Sequence, residues 1–282
     1  MSKKIITNRE QRILTLILSF RFLNSKQIQQ FLSHKDHRRI NSWLKDLVER
    51  QYLERDFKIV FGTLTKPAVY SLSPKGRKYV RETYPLVSKK YLRRLREDKK
   101  RSKGFRIRCQ IVADFYLILF VSQITEFPQT LETWLTEGIK YKPDQFLFFT
   151  PAFYENLEFS ILPKLKSNAY CYIKRKDGIT HTMIYVLDAY IPRLMLRYIL
   201  KNIFTTLDEE YWEDEIISSL HFYFVCPNNM VIVYLRRLLS LFLERYYGEK
   251  PIIFHFATRN QLYRRQKEKS GEIGWIDVSS TD

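Results

Sequence analysis

Lys35, Arg38, Arg39, Ser42 and Lys45 are the side chains whose types and spacing point most directly to chemistry. Four are cations and one is a hydroxyl. Together they can donate hydrogen bonds to phosphates and to acceptor atoms on base edges. They fall on a predicted helix over residues 34–50, whose apolar stripe is Ile40, Leu44, Leu47 and Val48. At 100° per residue, Lys35, Arg38 and Ser42 lie opposite that stripe, and Arg39 and Lys45 flank it. A cationic helix face can also be merely solvated, so the neighbouring elements must decide between the two readings.

Other reactive patterns are weaker. The five histidines, His34, His37, His181, His221 and His255, form no His-x-His pair, and His34 and His37 read as residues at a helix start. Tyr246-Tyr247 could offer a nucleophile but reads as packing at a helix end. Cys226-Pro227-Asn228 joins a strand to a helix. No phosphate-binding loop, dinucleotide fingerprint or serine-nucleophile elbow is present. The three cysteines, Cys109, Cys171 and Cys226, are far apart, which suits a reducing compartment and gives no disulfide framework.

The elements around the cationic face have a definite order. Thr7, followed three residues later by Glu10, is a capping-box signature, and Ile13, Leu16, Ile17 and Phe20 follow at helical spacing. A break over residues 21–24 leads to a short second helix, capped by Asn24 or Ser25. The cationic helix comes third. An extended stretch at 52–61, a turn at 62–66 and a strand at 68–72 follow. Ser73-Pro74 then opens another helix. This is the order of a winged helix-turn-helix, which lays its third helix in the major groove. Lys58 and Lys66, beside the turn, would reach phosphates. Double-stranded DNA is the expected partner, although the same scaffold also serves for docking proteins.

Charge favours the polyanion. The net charge is +18, but residues 1–108 hold 29 Lys/Arg against 9 Asp/Glu, and residues 109–282 hold 19 against 21. A basic module joined to a nearly neutral one calls for a polyanion. Residues 85–108 are the most basic stretch, and Lys99, Lys100 and Arg101 within it are expected to track phosphates. The alternative is a solvated linker helix. No signal-peptide pattern is visible, and no run reaches the ~20 apolar residues of a membrane span. A cytoplasmic protein with no membrane partner is therefore expected.

From residue 105 the composition turns apolar. A helix is predicted over 105–125. Strands are predicted over 131–136, 145–150, 169–174, 181–187, 220–226 and 252–257. Lys176-Asp177-Gly178 reads as a hairpin turn. Helices follow at 192–204, 229–247 and 259–267. The expected domains are 1–84, a basic linker at 85–104, and an α/β domain with a mixed sheet at 105–282.

Thr7-Asn8-Arg9-Glu10, Ile13-Leu14 and the run from Phe20 to Ile28 resemble the opening of the replication-relaxation family, proteins of plasmids and integrative elements. The run from Ala68 to Gly76 is similar to its second wing strand and the glycine that follows. Lys142-Pro143-Asp144 resembles its Arg-Pro-Asp, and Leu187-Asp188 with the next helix resembles its Glu-x-Asp and helix. The resemblance extends over residues 7–250. It implies an α+β protein, a winged helix-turn-helix joined to an α/β restriction-endonuclease-like domain. It implies action at an origin of replication or transfer, or at a promoter, with replication or transfer proteins recruited through the C-terminal domain. A homodimer is left open. Nucleases of that fold hold Mg²⁺ between the Asp of a Pro-Asp turn and an acidic residue on the next strand, with a Lys nearby to orient water. Asp144 and Asp188 match the two carboxylates, and Lys201 is a distant substitute for the lysine. Val186 stands where the family has Glu, and Tyr190 where a Lys is needed. The expectation is a non-catalytic domain without a cofactor. The alternatives are a metal-dependent endonuclease and a plain transcriptional regulator.

Overall fold

The structure is a computed structural model that describes residues 5–57, 67–119, 127–140, 146–154, 165–176, 178–208, 217–245, 252–268 and 275–279. The chain divides into two units, Met1–Lys140 and Tyr141–Asp282.

The first unit is built around helix α1 (Asn8–Phe20). Thr7 and Glu10 form the expected capping box: the Thr7 amide donates to Glu10 Oε2 at 2.8 Å and the Glu10 amide to Thr7 Oγ1 at 3.4 Å. Ile13, Leu14, Leu16, Ile17 and Leu18 are fully buried, so α1 is enclosed on most sides. A two-residue strand, β1 (Leu23–Asn24), precedes α2 (Ser25–Phe31). Asn24 caps α2, accepting from the Lys26 and Gln27 amides at 3.0 Å. Helix α3 (His37–Glu49), strand β2 (Leu53–Asp56), strand β3 (Val69–Leu72) and helix α4 (Pro74–Thr83) follow. The three strands form an antiparallel sheet in the order β1-β3-β2. Ser73 caps α4, accepting from the Gly76 amide at 3.0 Å, with Pro74 in the first turn.

The rest of this unit departs from the sequence expectation. Helix α5 (Lys89–Arg96), helix α6 (Lys103–Leu119) and helix α7 (Phe127–Glu137) all belong to it. The boundary thus falls after Lys140 rather than near residue 104. The reason is apolar burial: Tyr91, Leu92 and Leu95 of α5 are buried, and the Tyr91 hydroxyl donates to the Leu18 carbonyl of α1 at 2.7 Å. Asp114, the polar residue in the apolar run of α6, accepts from Gln27 Nε2 of α2 at 2.6 Å. Phe20, Phe31, Tyr116 and Phe127 form an aromatic cluster, with Tyr116 and Phe127 stacked at 4.1 Å. Residues 131–136 are helical, not a strand. Phe127, Leu131, Trp134 and Leu135 share one buried helical face, and Thr133 and Thr136 return their hydroxyls to carbonyls four residues back.

The second unit is a mixed six-stranded sheet. Its strands are β4 (Phe146–Phe149), β5 (Ala169–Arg175), β6 (Gly178–Val186), β7 (Ile217–Cys226), β8 (Ile252–Thr258) and β9 (Ile276–Ser279), in that spatial order. Strands β6, β7 and β8 are parallel, and the other pairings are antiparallel. Helix α8 (Arg193–Asp208) connects β6 to β7, helix α9 (Asn229–Leu243) connects β7 to β8, and helix α10 (Arg259–Glu268) follows β8. Phe204 of α8 stacks on Phe242 of α9 at 5.2 Å and on Phe254 of β8 at 6.0 Å, which seats both helices on one face. At the β5–β6 hairpin Gly178 has φ +137°, which only glycine adopts without strain. The 276–279 edge strand was not expected from sequence. Among the described residues no helix is long and apolar enough to cross a membrane.

Candidate nucleic-acid interface

Helix α3 buries Ile40, Leu44 and Leu47 and exposes Lys35, Arg38, Arg39, Ser42 and Lys45, the last four on α3 and Lys35 just before it. Its N-cap is Asp36, which accepts from the Arg38 and Arg39 amides at 2.8 and 3.3 Å. The first turn of α3 is thereby fixed by backbone hydrogen bonds, leaving both guanidinium groups outward. Trp43 anchors the helix: Arg9 of α1 lies 5.2 Å from its ring centroid and His34 meets its edge at 5.1 Å. Among the described residues no carboxylate pairs with Lys35, Arg38 or Arg39. Lys45 lies 3.7 Å from Glu49, an exposed pair of little strength. Arg50, in contrast, is structural, bonded to Asp46 at 3.0 Å and to Glu10 at 3.4 Å.

Beside α3, strands β2 and β3 pair from Leu53↔Leu72 to Asp56↔Val69. Arg55 sits over the half-exposed Phe57 ring at 4.7 Å. Lys58, Lys66 and the expected turn between them lie outside the described residues.

The basic stretch after α4 is folded. Lys99 bridges Glu54 of β2 at 2.9 Å, Lys100 bridges Glu97 at 3.5 Å, and Arg101 lies over Phe105 at 5.1 Å. Arg106 pairs with Asp56, and Arg21 with the buried Asp98. The pairs made by Lys99 and Lys100, which the sequence singled out, are exposed and, like Lys45–Glu49, of little strength. Lys89, Arg93 and Arg96 are exposed on one face of α5, with no carboxylate partner among the described residues. Their i, i+4, i+7 spacing was the signal available in the sequence. Neutralising these three should weaken binding to duplex DNA of any sequence. The slope of log affinity against log salt should fall by ~0.9 for each phosphate that is no longer neutralised. A salt titration of wild type and the triple glutamine variant measures this, and an unchanged slope would mean that α5 touches no phosphate.

Counted by unit, residues 1–140 carry 30 Lys/Arg against 13 Asp/Glu, and residues 141–282 carry 18 against 17. The basic excess therefore belongs to the unit that holds α3 and α5. That unit is also where the chain matches the model of the replication-relaxation family, over residues 14–155, just over half of its length. The chain belongs to the replication-relaxation family. Membership points to a role in the replication or transfer of plasmids and other mobile elements. The match ends soon after the first unit, short of the 7–250 span of the resemblance, so the second unit lies mostly beyond it. No curated protein and no solved structure matches the chain.

In this replication-relaxation protein the carboxylate candidates are only partly placed. Asp144 lies outside the described residues. Asp188 is half-buried just past the end of β6, and Lys201 is exposed on α8 next to Leu238 and Leu241 of α9. Val186, at the position of the family's Glu, is buried in β6 and has no oxygen to offer in its side chain. Among the described residues no group of three His, Cys, Asp or Glu could hold a metal ion.

The sheet does assemble one polar cluster that the sequence left scattered. His221 of β7, His255 of β8 and Asp277 of β9 form a chain: His221 Nδ1 lies 2.9 Å from His255 Nε2, and His255 Nδ1 lies 2.7 Å from Asp277 Oδ1. Tyr223 stacks on His255 at 4.2 Å, and Trp275 meets Tyr223 edge-on at 4.8 Å. The parallel β7–β8 register and the antiparallel β8–β9 register create this cluster from residues 56 positions apart at the extremes (Asp277, His221). Burial and the neighbouring His255 push the His221 pKa down from 6.5 to about 4, while Asp277 opposes the shift. A histidine held neutral in the fold gives up stability as pH falls from its unfolded pKa of 6.5 towards 4, because only the unfolded chain takes the proton. Allowing for its partial exposure, this amounts to ~2 kcal/mol. Urea unfolding at pH 7.5 and pH 4.5 should show a steeper acid loss for wild type than for His221→Gln. Equal losses would remove His221 from the account.

Proposed function

We propose that this chain is a sequence-specific duplex-DNA-binding protein of a plasmid or integrative mobile element. It acts at an origin of replication or transfer, or at a promoter, through a winged helix-turn-helix in its first unit. Its second unit, related to restriction endonucleases in architecture but not in activity, recruits replication or transfer proteins. The observation that carries this reading is α3, which presents Arg38, Arg39 and Ser42 outward from a buried Ile40–Leu44–Leu47 stripe, with exposed Lys35 just before it. The order of elements and the +17 charge of residues 1–140 support it. In this reading α3 enters the major groove, and α5 follows the backbone beside it.

Selection of bound DNA from a random pool tests the proposal, followed by a search of the host element for the enriched sequence. A single motif at an origin or promoter is expected, and a pool that enriches nothing would sink specific recognition. Supercoiled plasmid incubated with the protein and Mg²⁺ or Mn²⁺ should stay intact. Nicking that is lost in Asp144→Ala or Asp188→Ala would replace this reading with the endonuclease.

A further inference from the structure

The second unit carries an apolar groove of about 710 Å³ between α8 and α9. Its floor is Leu194, Tyr198, Leu238, Leu241 and Phe242, and its rim is cationic: Arg197, Lys201 and Arg245. Of ten large hydrophobic side chains exposed among the described residues, six lie on these two helices, and three of them line the groove: Leu194 at 77%, Tyr198 at 50% and Leu241 at 56%. A monomer seldom leaves such a patch uncovered without use for it. The cations repeat at helical spacing on α8, Arg193, Arg197 and Lys201, alongside Leu194 and Tyr198. None of these cations, nor Arg245, has a carboxylate partner among the described residues. Arg197 donates to the Tyr234 hydroxyl at 3.2 Å and Arg193 lies 5.3 Å from that ring, which holds the rim in place without neutralising it.

From this pairing of an apolar floor with an unneutralised cationic rim, we infer that the α8–α9 groove docks an acidic amphipathic helix of a partner protein. The occupant would lay leucine or phenylalanine side chains at i, i+3, i+4 and i+7 onto the floor and set Asp or Glu flanks against Arg197, Lys201 and Arg245. The rim alone would suit DNA, but phosphates gain nothing from a floor of leucine and aromatic rings. The lining runs from Leu194 to Lys201 on α8 and from Leu238 to Arg245 on α9, about 10 Å of each at 1.5 Å per residue, matching the i to i+7 face of two helical turns. This deepens the recruiting role proposed above and rests on it, since it names the surface and the chemistry of the recruited segment.

The test uses the full chain and a fluorescein-labelled 16-residue helical peptide with leucines at those spacings and glutamates on both flanks. Controls are a copy with lysine in place of glutamate and a scrambled acidic copy. Anisotropy should show the acidic amphipathic peptide bound at least tenfold tighter than either control. Leu241→Glu and Lys201→Glu, both on exposed side chains, should each weaken it at least fivefold, while circular dichroism and binding to the selected DNA stay unchanged. The proposal is overturned if the three peptides bind alike or if the two variants leave the preference intact. It is also overturned if duplex DNA displaces the peptide from the groove, or if sedimentation shows a second copy seated there in a dimer that Leu241→Glu dissolves. Loss of DNA binding with peptide binding retained would count against the proposed function and not against the groove.

Discussion

Replacing Arg38 and Arg39 together by alanine should weaken binding to the selected DNA site by about 100-fold or more. Removing a side chain that reads a base edge costs about 1–3 kcal/mol, and in the proposed binding mode the two guanidinium groups would supply two such readers. The loss should be specific. Binding to unrelated duplex should fall much less, because in the proposed mode α5 and the remaining cations would still neutralise phosphates. Folding should not change: Asp36 caps α3 through the backbone amides of residues 38 and 39, which alanine retains, and both side chains are exposed. Anisotropy on selected and unrelated duplexes, with a melting curve for each variant, decides the matter. Wild-type affinity for the selected site in the double variant would mean that α3 does not read DNA.

That experiment leans on the part of the molecule most legible in the sequence. Thr7, Asn24 and Ser73 mark helix starts by local chemistry alone, and each caps as its neighbours dictate. The α3 stripe was legible for a similar reason, since a period of 3.6 needs only thirteen residues to show itself. What depends on distant contacts was not legible. The basic stretch after α4 looked like a solvated linker because cations dominate it, yet Tyr91, Leu92 and Leu95 fix it to the first unit. The side chains that tie α6 to α2, Gln27 and Asp114, are 87 positions apart. Residues 131–136 resembled a strand because Thr133, Trp134 and Thr136 are strand-favouring types, whereas Phe127, Leu131, Trp134 and Leu135 are buried at helical spacing. The His221–His255–Asp277 chain exists solely through sheet register, which no local pattern encodes. The faces of a single helix are thus readable early, whereas clusters assembled across a sheet emerge only with the fold.

A second substitution should produce the largest loss of stability in the first unit: Gly76→Ala. Gly76 lies in α4, where alanine would normally gain up to about 1 kcal/mol from helix propensity. Here a Cβ would sit 2.1 Å from the Tyr52 carbonyl oxygen, with the Tyr52 carbonyl carbon at 3.1 Å and Leu72 Cδ2 at 3.3 Å. The obstacle is backbone, and it is held: the same Tyr52 oxygen accepts from the Ser73 amide at 3.1 Å, and the Tyr52 amide donates to the Leu47 carbonyl of α3 at 2.8 Å. Relieving the clash must therefore move the start of α4 away from the chain that leads from α3 into β2. Overpacking of this kind costs about 1–3 kcal/mol, and more where the backbone must shift. A net loss of about 3 kcal/mol is expected, or a melting temperature lower by roughly 6–12 °C for a unit of this size. Lys78→Ala, on the exposed side of the same helix, should change it little. Because Tyr52 is tied to α3, specific DNA affinity should fall along with stability, although Gly76 would touch no DNA. A Gly76→Ala protein that melts at or above the wild-type temperature would show that α4 does not press on Tyr52, and with it the reason for a glycine at this position would be lost.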